Sequence, residues 1–228
     1  MKDKRLRSSV LIEIDGVNLV IDAGPDFRQQ MIRAQLDHLD AMLVTHGHKD
    51  HIGGLDDVRA YNYVSGQPIP VYANETTCKD IRRDFHYVFS GNAYPGIPRI
   101  NLIPIDTTPF SVRGIKIIPI EVLHMNLKIL GFRIGDLTYI TDANDIPLEE
   151  RRKIRGSKIL IINALRIKKH VSHFNLEEAL EMIRSLAPGK AFLTHLSHRM
   201  GKHEEVSSLL PEGVFLGYDG LVIDTDEL

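Results

Sequence analysis

The chain has 228 residues, a formal charge of -2 and a 43% hydrophobic content, which is ample for a self-supporting core and too weakly basic for a general nucleic-acid-binding surface. The single cysteine, Cys78, excludes a disulfide framework and a cysteine-rich zinc site. No apolar run reaches the length of a membrane span, and none follows the basic start "MKDKRLRSSV" as a signal peptide would require, so a cytoplasmic location is the expectation.

In chain order, "SSVLIEI" and "VNLVIDA" are β-rich runs around Asp15-Gly16, the signature of a hairpin with a tight turn. "DFRQQMIRA" predicts a short helix with Asp26 as N-cap. "AMLVTH" is a buried strand, "GLDDVRAYNYV" a helix, "IPVYAN" a strand and "ETTCKDIRRDF" a helix. "FSVRGIKIIPIEVLH" and "ILGFRIGDLTYITDA" each hold two strands around a turn, at Arg113-Gly114 and Gly135-Asp136. "LEERRKIRG", "KILIINA", "NLEEALEMIRSLA" and "AFLTH" then read helix, strand, helix, strand, with Asn175 and Glu178 at capping-box spacing. A short helix near "HEEVSSLL" and the strands "GVFLG" and "GLVIDT" close the chain. With no repeat or long linker, residues 1–228 read as one α/β domain whose helices cover a sheet.

The strand ends carry the chemistry. "LVTH", "PIEVLH", "YITD" and "FLTH" finish at His46, His124, Asp142 and His195, where an apolar strand holds a polar side chain rigidly at the rim of a cleft. His46, His48, Asp50 and His51 crowd into "THGHKDH". Residues two apart point away from each other on a helix, so this cluster predicts a loop wrapped around a centre. Close-packed histidines add nothing to a core, and neutral imidazole with carboxylate suits zinc, manganese or iron. Seven candidate ligands exceed one tetrahedral ion and imply two, with Asp142 as bridge because a carboxylate offers two oxygens. For the isolated His38, His86 and His203, an ordinary solvated or locally paired role is expected.

"THGHKDH", followed in order by His124, Asp142 and His195, resembles the H-x-H-x-D-H signature of the metallo-β-lactamase superfamily. "DAGPDFRQQM", "HIGGLDDVR", "YITDAN" and "VSHFNLEEAL" are most similar to its PhnP-like branch of cyclic-phosphate phosphodiesterases, with ribonuclease Z as a near relative. The resemblance implies an αββα sandwich with a dinuclear site at one edge of two sheets. It assigns His46, His48 and His124 to one metal, Asp50, His51 and His195 to the other, and Asp142 to both. It places His173 as the catalytic histidine, with His170 as the weaker candidate. The family's first strand, its Gly-rich loop and a following Cys cluster have no counterpart before "SSVLIEI", so a first strand is expected to be missing.

The expected reaction is attack of a metal-bridging hydroxide on a small cyclic or linear phosphodiester, with Asp50 orienting the nucleophile and His173 protonating the leaving oxygen. Arg166, Lys168 and Lys169 read as a solvated basic face rather than as phosphate ligands. A lactonase or thioesterase, a ribonuclease Z-like nuclease, and a non-catalytic metal-binding protein of the same fold are the alternatives. The partner set is a small phosphodiester substrate, no membrane and no nucleic acid, with a homodimer left open.

Overall fold

Asp15 and Gly16 adopt φ values of 51° and 73°, the left-handed pair that a two-residue hairpin turn needs to match strand twist. They join β1 (Val10–Ile14) to β2 (Val17–Ile21), with Ile14 opposite Val17. The computed structural model describes residues 2–91 and 96–225. Contacts divide the chain into two compact units: Arg7–Asp106, and Thr107 onward together with the start of the chain up to Leu6.

In the first unit, β2 continues to α1 (Phe27–Ala34) and the three-residue strand β3 (Ala41–Leu43). The one-turn helix α2 (Lys49–Ile52), a 3₁₀ turn (Leu55–Val58) and α3 (Arg59–Ser65) follow. Then come β4 (Ile69–Ala73), α4 (Glu75–Asp84), α5 (His86–Phe89) and β5 (Ile100–Pro104). The strands form one sheet in the order β1-β2-β3-β4-β5, antiparallel at β1–β2 and parallel thereafter. Val20, Met42 and Val71 from the strands pack with Phe27, Met31, Cys78 and Ile81 from the helices. That burial pushes the Cys78 thiol up to about 11 and leaves it unreactive near neutrality.

The second unit is built from β6 (Phe110–Val112), β7 (Ile115–His124), β8 (Leu127–Ile134) and β9 (Leu137–Ile140), an antiparallel run joined by tight turns. After α6 (Leu148–Ile154) the pairing becomes parallel through β10 (Ile159–Asn163), β11 (Lys190–Thr194) and β12 (Val214–Leu216), with α7 (Leu176–Leu186) and α8 (His203–Ser207) between them. The order is β12-β11-β10-β9-β8-β7-β6. Ala179, Met182, Ile183 and Leu186 line one stripe of α7 and bury against Leu160, Ile162 and Leu193 of the sheet, the helical spacing of an amphipathic face. The predicted capping box is present: Asn175 Oδ1 accepts from Glu178 N at 2.9 Å and Glu178 Oε2 accepts from Asn175 N at 3.0 Å.

Four local expectations need correction. Asp26 stands at the N-cap of α1 but makes no capping bond; its carboxylate accepts from Arg7 N at 2.8 Å instead. "INLIP" forms β5, which the sequence reading passed over; β4 supplies its pairing partner. "GLVIDT" is not a strand: the preceding Asp219 carboxylate accepts from Leu6 N at 3.1 Å, the chain turns there, and no strand among the described residues pairs with it. Asp50 and His51 lie in the helical turn α2 rather than in an open loop, with His48 as its N-cap.

Candidate metal centre

Each unit carries its own part of the predicted ligand set. In the first, the loop after β3 delivers His46 and the one-turn α2 delivers Asp50 and His51, with His48 at its entrance. The ring centroids of His46 and His48 are 4.5 Å apart and those of His46 and His51 4.3 Å. The packing is tight enough to dictate glycine nearby: a Cβ on Gly24 would run into the Asp50 carbonyl, and one on Gly54 into the Gly24 carbonyl.

Asp22, which the sequence reading did not single out, organises this half. It is fully buried and accepts from Thr45 N (2.8 Å), Thr45 Oγ1 (2.8 Å) and His51 Nδ1 (2.8 Å). Because the Thr45 hydroxyl gives its hydrogen to Asp22, its lone pair accepts from His46 Nδ1 at 3.0 Å. Both histidines therefore donate from Nδ1, the tautomer that turns Nε2 to a metal; such carboxylate–histidine pairs orient ligands. The signal was available, since "LVID" ends β2 in a carboxylate just as "YITD" ends β9.

In the second unit, His124 closes β7, Asp142 follows β9 and His195 follows β11. His124 Nδ1 donates to the carbonyls of Asp142 (2.7 Å) and Ser172 (2.8 Å), which fixes the orientation of its ring. The Asp142 carboxylate accepts from Thr141 Oγ1 at 2.7 Å and lies 3.2 Å from His195 Nε2 and 3.0 Å from His173 Nε2. Asn163, at the end of β10, locks the next residue by bonding both Ala143 N (2.8 Å) and Ala143 O (2.9 Å). The ring of His173 stacks on His195 at 5.1 Å and meets His124 edge-on at 4.7 Å.

The donor chemistry within each unit fits divalent ions. Ligand atoms of His46 and His48, and of Asp50 and His51, lie within 4.8 Å of one another; so do those of His124 and Asp142, and of Asp142 and His195. His38, His86 and His203 belong to no such group among the described residues; His38 instead sits 2.6 Å from Asp37, which raises its pKa by hydrogen bonding. The Arg166 guanidinium donates to Lys168 O (3.1 Å) and Lys169 O (2.6 Å) and so braces its own loop. No helix among the described residues is long and apolar enough to cross a membrane.

Residues 17–196 match the family described as "Beta-lactamase superfamily domain". A solved structure of a diphosphatase from the PhnP family superposes with a TM-score of 0.91 at 36% identity, covering 98% of this chain and 86% of that one. The short form of human tRNase Z shares the fold at 18% identity and a TM-score of 0.71, over 96% of this chain and 92% of its own. Among curated proteins, an octanoyltransferase of Porphyromonas gingivalis (strain ATCC BAA-308 / W83) is 41% identical over 99% of this chain but only 46% of its own length. The chain thus spans about half of that relative.

Proposed function

The chain belongs to the beta-lactamase superfamily, and on that premise we propose that it is a metal-dependent hydrolase of small phosphodiesters, with residues 1–228 acting as one domain. The fold and its structural neighbours indicate a metal-dependent hydrolase. The phosphodiester reading rests on one observation above all. His173 is an imidazole beyond the seven proposed ligands, held with Nε2 3.0 Å from the Asp142 carboxylate. Similarity to a diphosphatase of the PhnP family over nearly the whole chain supports the same class.

In this proposal His46, His48 and His124 would hold one ion, Asp50, His51 and His195 a second, and Asp142 both. Zinc or manganese suits these nitrogen and oxygen donors, and iron is compatible with them. When bound, such ions supply Lewis acidity and lower the pKa of water towards neutrality. The chain's own residues do the rest. Asp22, Thr45 and the Ser172 carbonyl fix the tautomers of His46, His51 and His124. Asp50 orients the nucleophile, and His173 delivers a proton from Nε2 to the departing alkoxide. Acyl transfer through a thiol is not supported, because Cys78 is buried and its pKa is pushed up to about 11.

The test is turnover of cyclic and linear phosphodiesters by protein reconstituted with zinc or manganese. Asp142→Ala should lose both bound metal and activity. His173→Ala should keep its metals while kcat falls about 10²–10⁴-fold for an alkoxide leaving group and little for an aryl one. Metal-loaded protein that turns over a lactone or thioester but no phosphodiester would overturn the proposal.

A further inference from the structure

Ser172 and His170 form a hydrogen-bonded chain behind His173. A backbone N–H only donates, so the contact from Ser172 N to His170 Nδ1 (3.3 Å) leaves that nitrogen bare and accepting. The carboxylate of Asp142 only accepts, so His173 Nε2, at 3.0 Å, carries hydrogen. Between these fixed ends stands the Ser172 hydroxyl, 2.8 Å from His173 Nδ1 and 3.2 Å from His170 Nδ1. A hydroxyl has one hydrogen. Whichever way that hydrogen points, the Ser172 hydroxyl and His170 Nδ1, itself 3.3 Å from His173 Nδ1, hold the ring from behind while Nε2 faces Asp142.

We infer that Ser172 and His170 are positioning residues that hold the His173 ring from its Nδ1 side, with Nε2–H aimed at the Asp142 carboxylate. The inference rests on the phosphodiesterase reading for its catalytic meaning but not for its geometry. Ser172 is 6% exposed, so its hydroxyl has little water to turn to. Its carbonyl meanwhile holds His124 through Nδ1, so one residue sets a proposed ligand with its backbone and the proposed acid with its side chain. Burial keeps His170 below its ordinary pKa, with His173 and Arg166 adding to the effect, which favours the bare acceptor. The loop is rigid enough for the role. Its ends are tied by Leu165 N to Phe174 O (2.9 Å) and Leu176 N to Arg166 O (3.0 Å), and Asn175 Nδ2 donates to Ile167 O (3.1 Å).

The test compares zinc-loaded wild type with Ser172→Ala, His170→Ala, His170→Asn and His173→Ala. It uses bis(4-nitrophenyl) phosphate as the aryl ester and a 2′,3′-cyclic nucleotide as the alkyl one, alongside imidazole ¹⁵N NMR. Removing either side chain should lower kcat about tenfold for the alkyl ester, the worth of one hydrogen bond, and leave the aryl ester unchanged. His170→Asn should restore the loss, because its Oδ1 replaces the Nδ1 acceptor. The His173 ring should show one hydrogen-bonded form in wild type and averaging between forms in Ser172→Ala. Equal losses on both esters, or a His173 spectrum indifferent to Ser172 and His170, would overturn the inference. If Ser172→Ala fails to fold, the His170→Ala and His170→Asn pair decides. If His173→Ala shows no leaving-group dependence, the phosphodiesterase reading fails, and the NMR result alone decides the positioning.

Discussion

Eight non-glycine residues among those described have positive φ, and five have local explanations. Asp15, Arg113 and Met125 sit in hairpin turns, while Gln35 and Ala187 are left-handed C-caps of α1 and α7. The three that remain are Asp22 (65°), Asp142 (56°) and His195 (54°), one residue of the proposed second layer and two proposed ligands. A left-handed side chain costs about 1–2 kcal/mol, and strain of this kind gathers where function over-determines the backbone. At Asp22 the cost is offset by donors from Thr45 N, Thr45 Oγ1 and His51 Nδ1, each hydrogen bond to a charged group contributing about 1.5–3 kcal/mol. Asp22→Asn tolerates the backbone but turns an amide N–H₂ towards one of these donors. Metal affinity should fall about 10–100-fold, as for other changes behind a metal-ligating histidine. Competition against a chromophoric chelator measures it, and unchanged affinity would refute the role assigned to Asp22.

At the scale of elements, strands end where the chemistry begins. β7 stops on His124 and β11 one residue before His195, so ladders that register hydrophobic cores also fix where these proposed ligands stand. Helix α7 serves the same end indirectly. Asn175 caps it through Glu178 N and ties the loop carrying His170–His173 by donating from Nδ2 to Ile167 O. Loss of an N-cap costs about 1 kcal/mol, and the second bond adds to it. Asn175→Ala should therefore shift the urea midpoint by an equivalent of about 1–2 kcal/mol with the m-value unchanged. A shift below the error of the fit would mean that the cap is dispensable.

Across the whole molecule, the start of the chain belongs with the second unit. Asp3 Oδ1 accepts from His203 N at 2.7 Å, Arg5 lies 3.3 Å from His203 Nδ1, and Lys2 sits over the Tyr218 ring. Burial, helped by Lys2 and Arg5, lowers the His203 pKa from its ordinary 6.5. Between the depressed folded value and 6.5 the unfolded chain binds more protons, so stability rises with pH through that window. The contribution is complete above 6.5 and is lost as pH falls through the folded pKa. Thermal unfolding of His203→Gln should accordingly show a shallower loss of Tm than wild type between pH 7.5 and 5. Parallel curves would place the acid sensitivity elsewhere.

The sequence by itself determined what depends on neighbours within a turn or two. Asp15-Gly16 and Arg113-Gly114 specify their hairpins because two positive-φ residues close them. Asn175 and Glu178 specify a helix start because the capping bonds are local. The dense His46–His51 cluster points to metal because nothing else needs those side chains so close. Tertiary structure decided the rest. "INLIP" is a strand because β4 lies beside it, and "GLVIDT" is not, since no neighbour among the described residues completes its ladder. Asp22 matters because folding sets β2 beside β3, so that its carboxylate meets Thr45 and His51. The contacts from His170 through Ser172 to His173 join side chains that meet only in the folded chain. Pairing and polarity are long-range properties, and no local pattern of residues encodes them.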